Sequence, residues 1–174
     1  MTERFSIVNG QDHHIRIVDN TEDLHSDNMF HRAVHVIVET HGGGMMIQKK
    51  AKHTENGGKW SSSASGHVRY QETYKQAAIR ELEEETGLKV TDEEELIEVI
   101  KASPCEETGY EFVMLYSYLI DPHEEEPKIG CDEVDEIVIA PLAVIVKDIC
   151  DNNDKYSPAF VEMLNRFLSM HKSK

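Results

Sequence analysis

The stretch "GHVRYQETYKQAAIRELEEETGL", residues 66–88, decides how the rest of the chain is read. Thr73 and Gln76 have the spacing of a capping box, so a helix is predicted to begin near Tyr74. Gly87 stands where a left-handed C-cap residue would end it. Between them, "YKQAAIRELEEET" contains good helix formers and no proline. At roughly 100° per residue, Ala78, Ile79 and Leu82 share one edge, the only apolar stripe able to dock on a sheet. Glu81, Glu84 and Glu85 stand at i, i+3 and i+4 and converge on a neighbouring stripe, while Glu83 points away to solvent.

Like charges at that spacing destabilise an isolated helix by about 0.2–0.5 kcal/mol per pair. A solvated acidic surface would bear that cost for nothing. A divalent cation among the carboxylates removes it, and hard oxygen ligands select Mg²⁺ or Mn²⁺ over zinc. Arg80, beside the stripe, can fix a carboxylate through a bidentate pair.

The whole chain fits this chemistry. Its 174 residues suffice for one domain with a real core, and 33 acids against 18 bases give a formal charge of −15. Such a surface repels nucleic-acid backbones and anionic membranes, so neither is expected as a partner. A phosphorylated substrate would need a cation to mediate its contact. No apolar run reaches membrane-span length, and "MTERFSIVNG" lacks a signal-peptide core. Cys105, Cys131 and Cys150 have no metal-type spacing, and reduced thiols in a cytoplasmic protein are expected. Cys105 lies beside acids, without the cationic neighbours that activate a thiol.

Along the chain, residues 1–29 read as an N-terminal β-hairpin extension and 30–174 as the core of a single domain. "RFSIVNG" and "HHIRIVDN" are predicted strands around a polar turn. "RAVHVIVET", a glycine turn and "MMIQKK" give two more, and "SSSASG" reads as a short strand or an extended segment. "EELIEVIKAS" and "EFVMLYSYLI" follow as strands, "HEEEPKIGCDEVDE" as a charged loop and "IVIAPL" as a further strand. "LAVIVKDICD" is a predicted short helix, and "SPAFVEMLNRFLSMHK" a helix with Ser157 as N-cap and Pro158 in first position. Strands and helices mixed without strict alternation predict an α/β (α+β) sandwich with a mixed sheet.

Gly66, Glu72, Arg80, Glu81, Leu82, Glu84, Glu85, Gly87 and Leu88 match every specified position of the Nudix box, G-x5-E-x7-R-E-U-x-E-E-x-G-U. The chain thus resembles the Nudix hydrolases. The resemblance implies an α/β/α sandwich and Mg²⁺-dependent hydrolysis of a diphosphate linkage in a small phosphorylated metabolite. It further implies that Glu84 and Glu85 ligate the metal, with Glu81 as further ligand or general base. Gly66 would offer its carbonyl, Arg80 would orient a glutamate and Glu72 would brace the loop before the helix. Relatives of this kind often form homodimers.

Upstream, "FHRAVHVIV", "MMIQKKA" and "GKWSSSASGHV" resemble segments of isopentenyl diphosphate isomerase and, more closely, of bacterial Nudix hydrolases related to it. The isomerase has metal-binding histidines at the positions of His31 and His67 and a cysteine in its proton chemistry. Ser65 stands at the cysteine position, and a hydroxyl without an activating base does not replace a thiolate. Of the isomerase's two downstream glutamates, Glu111 matches one and Gly109 falls at the other. A hydrolase is therefore the expected activity, with an isomerase or a non-catalytic nucleotide sensor as alternatives. Glu81, Glu85, Arg80 and Glu111 are the candidate catalytic residues. Gly66, Glu81, Glu84, Glu85 and His67 are candidate metal ligands, and Trp60 and His31 candidate substrate contacts. Glu106, Glu107, Glu133 and Glu136 are alternatives to Glu111, and His35 is expected simply to occupy a strand face. Pro104 lies about where Nudix enzymes acting on ADP-ribose often carry a proline.

Overall fold

A computed structural model describes residues 3–24 and 29–171. Its centre is a strand pair built from the two most β-branched and aromatic runs of the sequence, β3 (His31–Thr40) and β8 (Glu111–Ile120). They run parallel in unbroken register from His31↔Glu111 to Thr40↔Ile120. Both are buried along nearly their whole length, as a strand covered on two faces must be. Antiparallel partners complete a mixed seven-stranded sheet: β4 (Gly44–Lys50), β5 (Trp60–Ser61), β6 (Ala64–His67), β7 (Ile97–Ala102) and β9 (Val134–Pro141). The path runs β5-β4-β3-β8-β7, with β6 beside β3 and β9 beside β4.

Helices cover both faces. Val34, Val36, Val38 and Met46 pack against Ala77, Ala78 and Leu82 of α2 (Tyr74–Thr86). On the opposite face Ile37, Met45 and Ile47 meet Ile145 of α3 (Leu142–Asp151) and Phe160, Met163 and Phe167 of α4 (Pro158–His171). This is the expected α/β/α sandwich with a mixed sheet.

The expected caps of α2 are in place. Gln76 N donates to Thr73 Oγ1 at 3.2 Å, Thr73 N donates to Gln76 Oε1 at 2.9 Å, and Gly87 sits at φ 70°. Two expectations change. Strand β9 starts at Val134, three residues inside the stretch read as charged loop, because it pairs along β4 with one flank open to water that tolerates Asp135 and Glu136. The buried face of α2 also differs: Ala77 takes the place given to Ile79, which is only partly covered, and Glu85 is buried too.

Residues before the core form a hairpin of β1 (Phe5–Val8) and β2 (His14–Val18), followed by a single turn, α1 (Thr21–Leu24). Phe5, Ile7, Val18 and Leu24 make its own small core. The hairpin is tied to the sandwich by Tyr70 N donating to Arg4 O at 2.6 Å and Val8 N donating to Phe30 O at 2.9 Å. Asp12, at its tip with φ 62°, accepts from Arg32 Nε at 2.5 Å and from the Tyr74 hydroxyl at 2.9 Å, and pairs with Lys101. Burial pushes the Asp12 carboxyl up, but these partners outweigh it and hold it below its ordinary 3.8. Among the described residues no helix is long and apolar enough to cross a membrane.

Candidate active site

The carboxylates of α2 do not form the uniform stripe that helical angles predict. Glu84 is exposed, Glu81 is largely covered, and Glu85 is buried with 2% of its side chain accessible. Three donors from outside the helix make that burial tolerable. Lys50 Nζ donates to Glu85 Oε1 at 2.7 Å, while Gln48 Nε2 and Ser65 N each donate to Oε2 at 2.8 Å. Alternation along β4 points Met46, Gln48 and Lys50 toward the α2 layer, so the strand delivers both side chains to one carboxylate. Burial lowers the Lys50 pKa, yet Glu85 more than reverses this and keeps the ammonium above its ordinary value.

Arg80 organises the open end of the site. Its Nε and Nη2 grip Glu72 at 2.8 and 2.9 Å, Nη2 donates to the His67 carbonyl at 3.0 Å, and Nη1 donates to Glu81 Oε1 at 2.5 Å. Glu72 also accepts from Arg69 N at 3.0 Å, so one guanidinium locks the loop before the helix to the helix itself. Gly66 lies directly over Glu81, where a β-carbon would collide with the carboxylate. Burial, with the nearby Glu85 and Glu84 charges, overrides Arg80 and lifts the Glu81 carboxyl to about 7. Gly66, His67, Arg80, Glu81, Glu84 and Glu85 all line a cleft of about 740 Å³.

A second cluster stands beside it. His31 Nε2 and His67 Nε2 each lie 3.0 Å from Glu111 Oε1, and one potential ligand atom from each residue lies within 4.8 Å of the others. Sheet register builds it: Glu111 is the rung opposite His31, and His67 lies opposite Ala33 on β3. Burial raises the Glu111 carboxyl, but hydrogen bonds from the two histidines hold it well below the usual carboxylate range. Burial lowers His67, and its bond to Glu111 outweighs that, leaving the imidazole above its ordinary 6.5. This cluster faces a smaller cavity of about 300 Å³, whose wall includes His35, Ser65, His67 and Glu111.

Comparison with known proteins agrees with this fold. The NUDIX domain family matches residues 29–160. The chain belongs to the Nudix family. It is 29% identical over 149 residues to isopentenyl-diphosphate Delta-isomerase 2 of Photorhabdus laumondii, covering 82% of this chain and 80% of that protein. The crystal structure of the DR0079 protein of Deinococcus radiodurans superposes with a TM-score of 0.80 at 19% identity, covering 94% of this chain and 98% of the other. A bifunctional NMN adenylyltransferase/ADP ribose pyrophosphatase of Francisella tularensis, solved with AMP and a manganese ion, gives 0.64 at 20% identity, covering 79% of this chain and 40% of that one.

The Nudix helix thus gathers Gly66, Arg80, Glu81, Glu84 and Glu85 at one cleft, whereas Glu111 and His31 belong to the neighbouring cluster and His67 touches both spaces. Trp60 lines neither; it packs on the α4 side with Lys49 Nζ 5.8 Å from its ring centre. Glu106, Glu107 and Glu133 rim the smaller cavity. Sequence reading passed over Gln48 and Lys50 of the Nudix site. Their signal was present, since both share a strand face with Met46, where apolar residues are due.

Proposed function

We propose that the protein is a divalent-metal-dependent Nudix hydrolase that cleaves a diphosphate linkage in a small phosphorylated metabolite. The observation that carries this reading is the gathering of Glu81, Glu84 and Glu85 on one wall of a cleft, with Arg80 fixing the first. Hard carboxylate oxygens at Glu84 and Glu85 suit Mg²⁺ or Mn²⁺. The donor set therefore fits the metal that the family uses, with Glu84, Glu85 and the Gly66 carbonyl as its holders and Glu81 left as the base. Bound there, the ion would supply Lewis-acid charge at the diphosphate oxygens.

The chain's own residues supply the rest. Glu81, raised to about 7, is matched to accept a proton from water near neutral pH. Arg80 fixes the Glu81 oxygen it touches. Glu85, with both oxygens held by three donors, works as a fixed charge rather than a moving base. Replacing Glu81 by Gln should lower Mg²⁺-dependent release of phosphorylated product by roughly 10²–10⁴-fold, the usual worth of a general base. A screen of nucleotide sugars, dinucleotides, CoA and prenyl diphosphates supplies the substrate for that assay. Turnover undiminished in Glu81→Gln would refute the assignment.

The His31–His67–Glu111 cluster and the likeness to the Photorhabdus isomerase favour a second reading, isomerisation of a prenyl diphosphate. Ser65 opposes it, because it brings no thiolate to the wall. Formation of an allylic isomer from isopentenyl diphosphate would establish it, and its absence would dismiss it.

A further inference from the structure

Of the three donors on Glu85, one sits on the oxygen that a metal ion needs. We infer that Lys50 is a positioning residue and the ion's rival: its ammonium holds Glu85 Oε1 and must withdraw toward Glu133 for a metal ion to bind there. The inference rests on the proposed function only for the metal seat at Glu84 and Glu85.

Counting acceptor sites carries the argument. A carboxylate offers about two on each oxygen. Gln48 Nε2 and Ser65 N, both at 2.8 Å, take the two on Oε2. Among the described residues Oε1 accepts from Lys50 Nζ alone, at 2.7 Å. A metal ligated by Glu85 therefore has to use Oε1, beside the ammonium. A dication and an ammonium on one buried oxygen repel each other, so each weakens the other's hold.

The donors differ in their freedom to leave. Ser65 N belongs to the backbone of β6, in register with His35 of β3. Gln48 is fully buried, and its Oε1 is a buried polar atom without a hydrogen-bond partner among the described residues. A carboxylate only accepts, so the amide must turn its nitrogen to Glu85 and leave that oxygen unmatched. The fold bears this cost to hold Oε2 in place. Lys50 is different. Its side chain is 13% accessible and lines the smaller cavity, whereas Glu85 lines the larger cleft. An ion reaches Glu85 from the cleft, and the ammonium has the smaller cavity to withdraw into. Glu133 stands at that boundary. Its carbonyl accepts from Ala51 N at 2.8 Å, it lines both spaces, and its carboxylate already attracts the ammonium.

The test is Mn²⁺ binding to the full chain, titrated by the electron-spin signal of the free ion with no substrate present. Lys50→Met should bind Mn²⁺ about tenfold tighter or more than the parent, since a buried like charge has gone. Lys50→Arg, which keeps the charge, should bind no tighter than the parent. The gain must run through the shared oxygen, so Lys50→Met added to Glu85→Gln should bind no tighter than Glu85→Gln alone. Glu133→Gln should weaken binding in the parent and leave it unchanged in Lys50→Met, because it acts through the ammonium. Lys50→Gln, neutral and still a donor, replaces Lys50→Met in every comparison if the latter does not fold. Unchanged or weaker binding in the neutral Lys50 variant, a gain that persists without the Glu85 carboxylate, or an equal effect of Glu133→Gln in both backgrounds would overturn the inference. Hydrolysis is not read. An active enzyme whose Mn²⁺ affinity ignores Lys50 thus overturns this inference alone, and a tightened but inactive protein overturns only the hydrolase reading.

Discussion

Glu85 is a charge placed where charge is costly. With 2% of its side chain accessible, it depends on Lys50, Gln48 and the Ser65 amide for its stability. Replacing Lys50 by Met keeps most of the volume and removes the cation paired with it. The buried carboxylate is then uncompensated, a loss on the order of 3–5 kcal/mol. Urea unfolding without metal should show that loss, and added Mg²⁺ should return part of it if the ion reaches Glu85. A Lys50→Met variant as stable as the parent would mean that Glu85 does not depend on this ion pair. Helical angles alone placed Glu85 beside Glu84 on an open stripe. The difference was illegible locally, because the residues that make burial possible come from β4, 35 and 37 positions away.

Helix α2 was the most legible element, and for a physical reason: its start and stop are written in adjacent residues. The Thr73–Gln76 box and the Gly87 cap act over one turn and need nothing from the rest of the fold. Thr73→Ala should therefore cost about 1 kcal/mol, seen as a lower urea midpoint with an unchanged slope. An unshifted midpoint would show that docking on the sheet, not the cap, fixes where the helix begins. Strand β9 is the opposite case. Val134, Asp135 and Glu136 look like loop in isolation, and only pairing with β4 makes them strand. The same applies to the site as a whole: the Nudix glutamates were readable from spacing, but the meeting of His31 with Glu111 depends on a sheet register that no local pattern encodes.

At the level of the whole molecule, one carboxylate adds a side-chain anchor to the backbone bonds that tie the hairpin to the sandwich. Asp12 gathers Arg32, Lys101 and Tyr74, groups from three different elements. Its pKa is depressed on folding, so its contribution is fully present above its unfolded value near 3.8 and is lost as pH falls through the lower folded value. Thermal melts should thus drop more steeply below about pH 4 in the parent than in Asp12→Asn. At neutral pH the variant should lose on the order of 1–2 kcal/mol, the lower end being favoured because Lys101 is 41% exposed. Parallel pH profiles for the two proteins would show that this anchor is not the acid-sensitive one.

The parallel pairing of β3 with β8 has a bearing on how the chain comes to be active. His31 and Glu111 are separated by 80 positions, and the rung between them closes a loop that contains the whole Nudix box. Such long closures are entropically slow, whereas a capped helix forms early. A nascent chain therefore has no histidine cluster until β8 has left the ribosome. A chain cut short before Glu111 thus keeps the Nudix box and lacks the histidine cluster altogether.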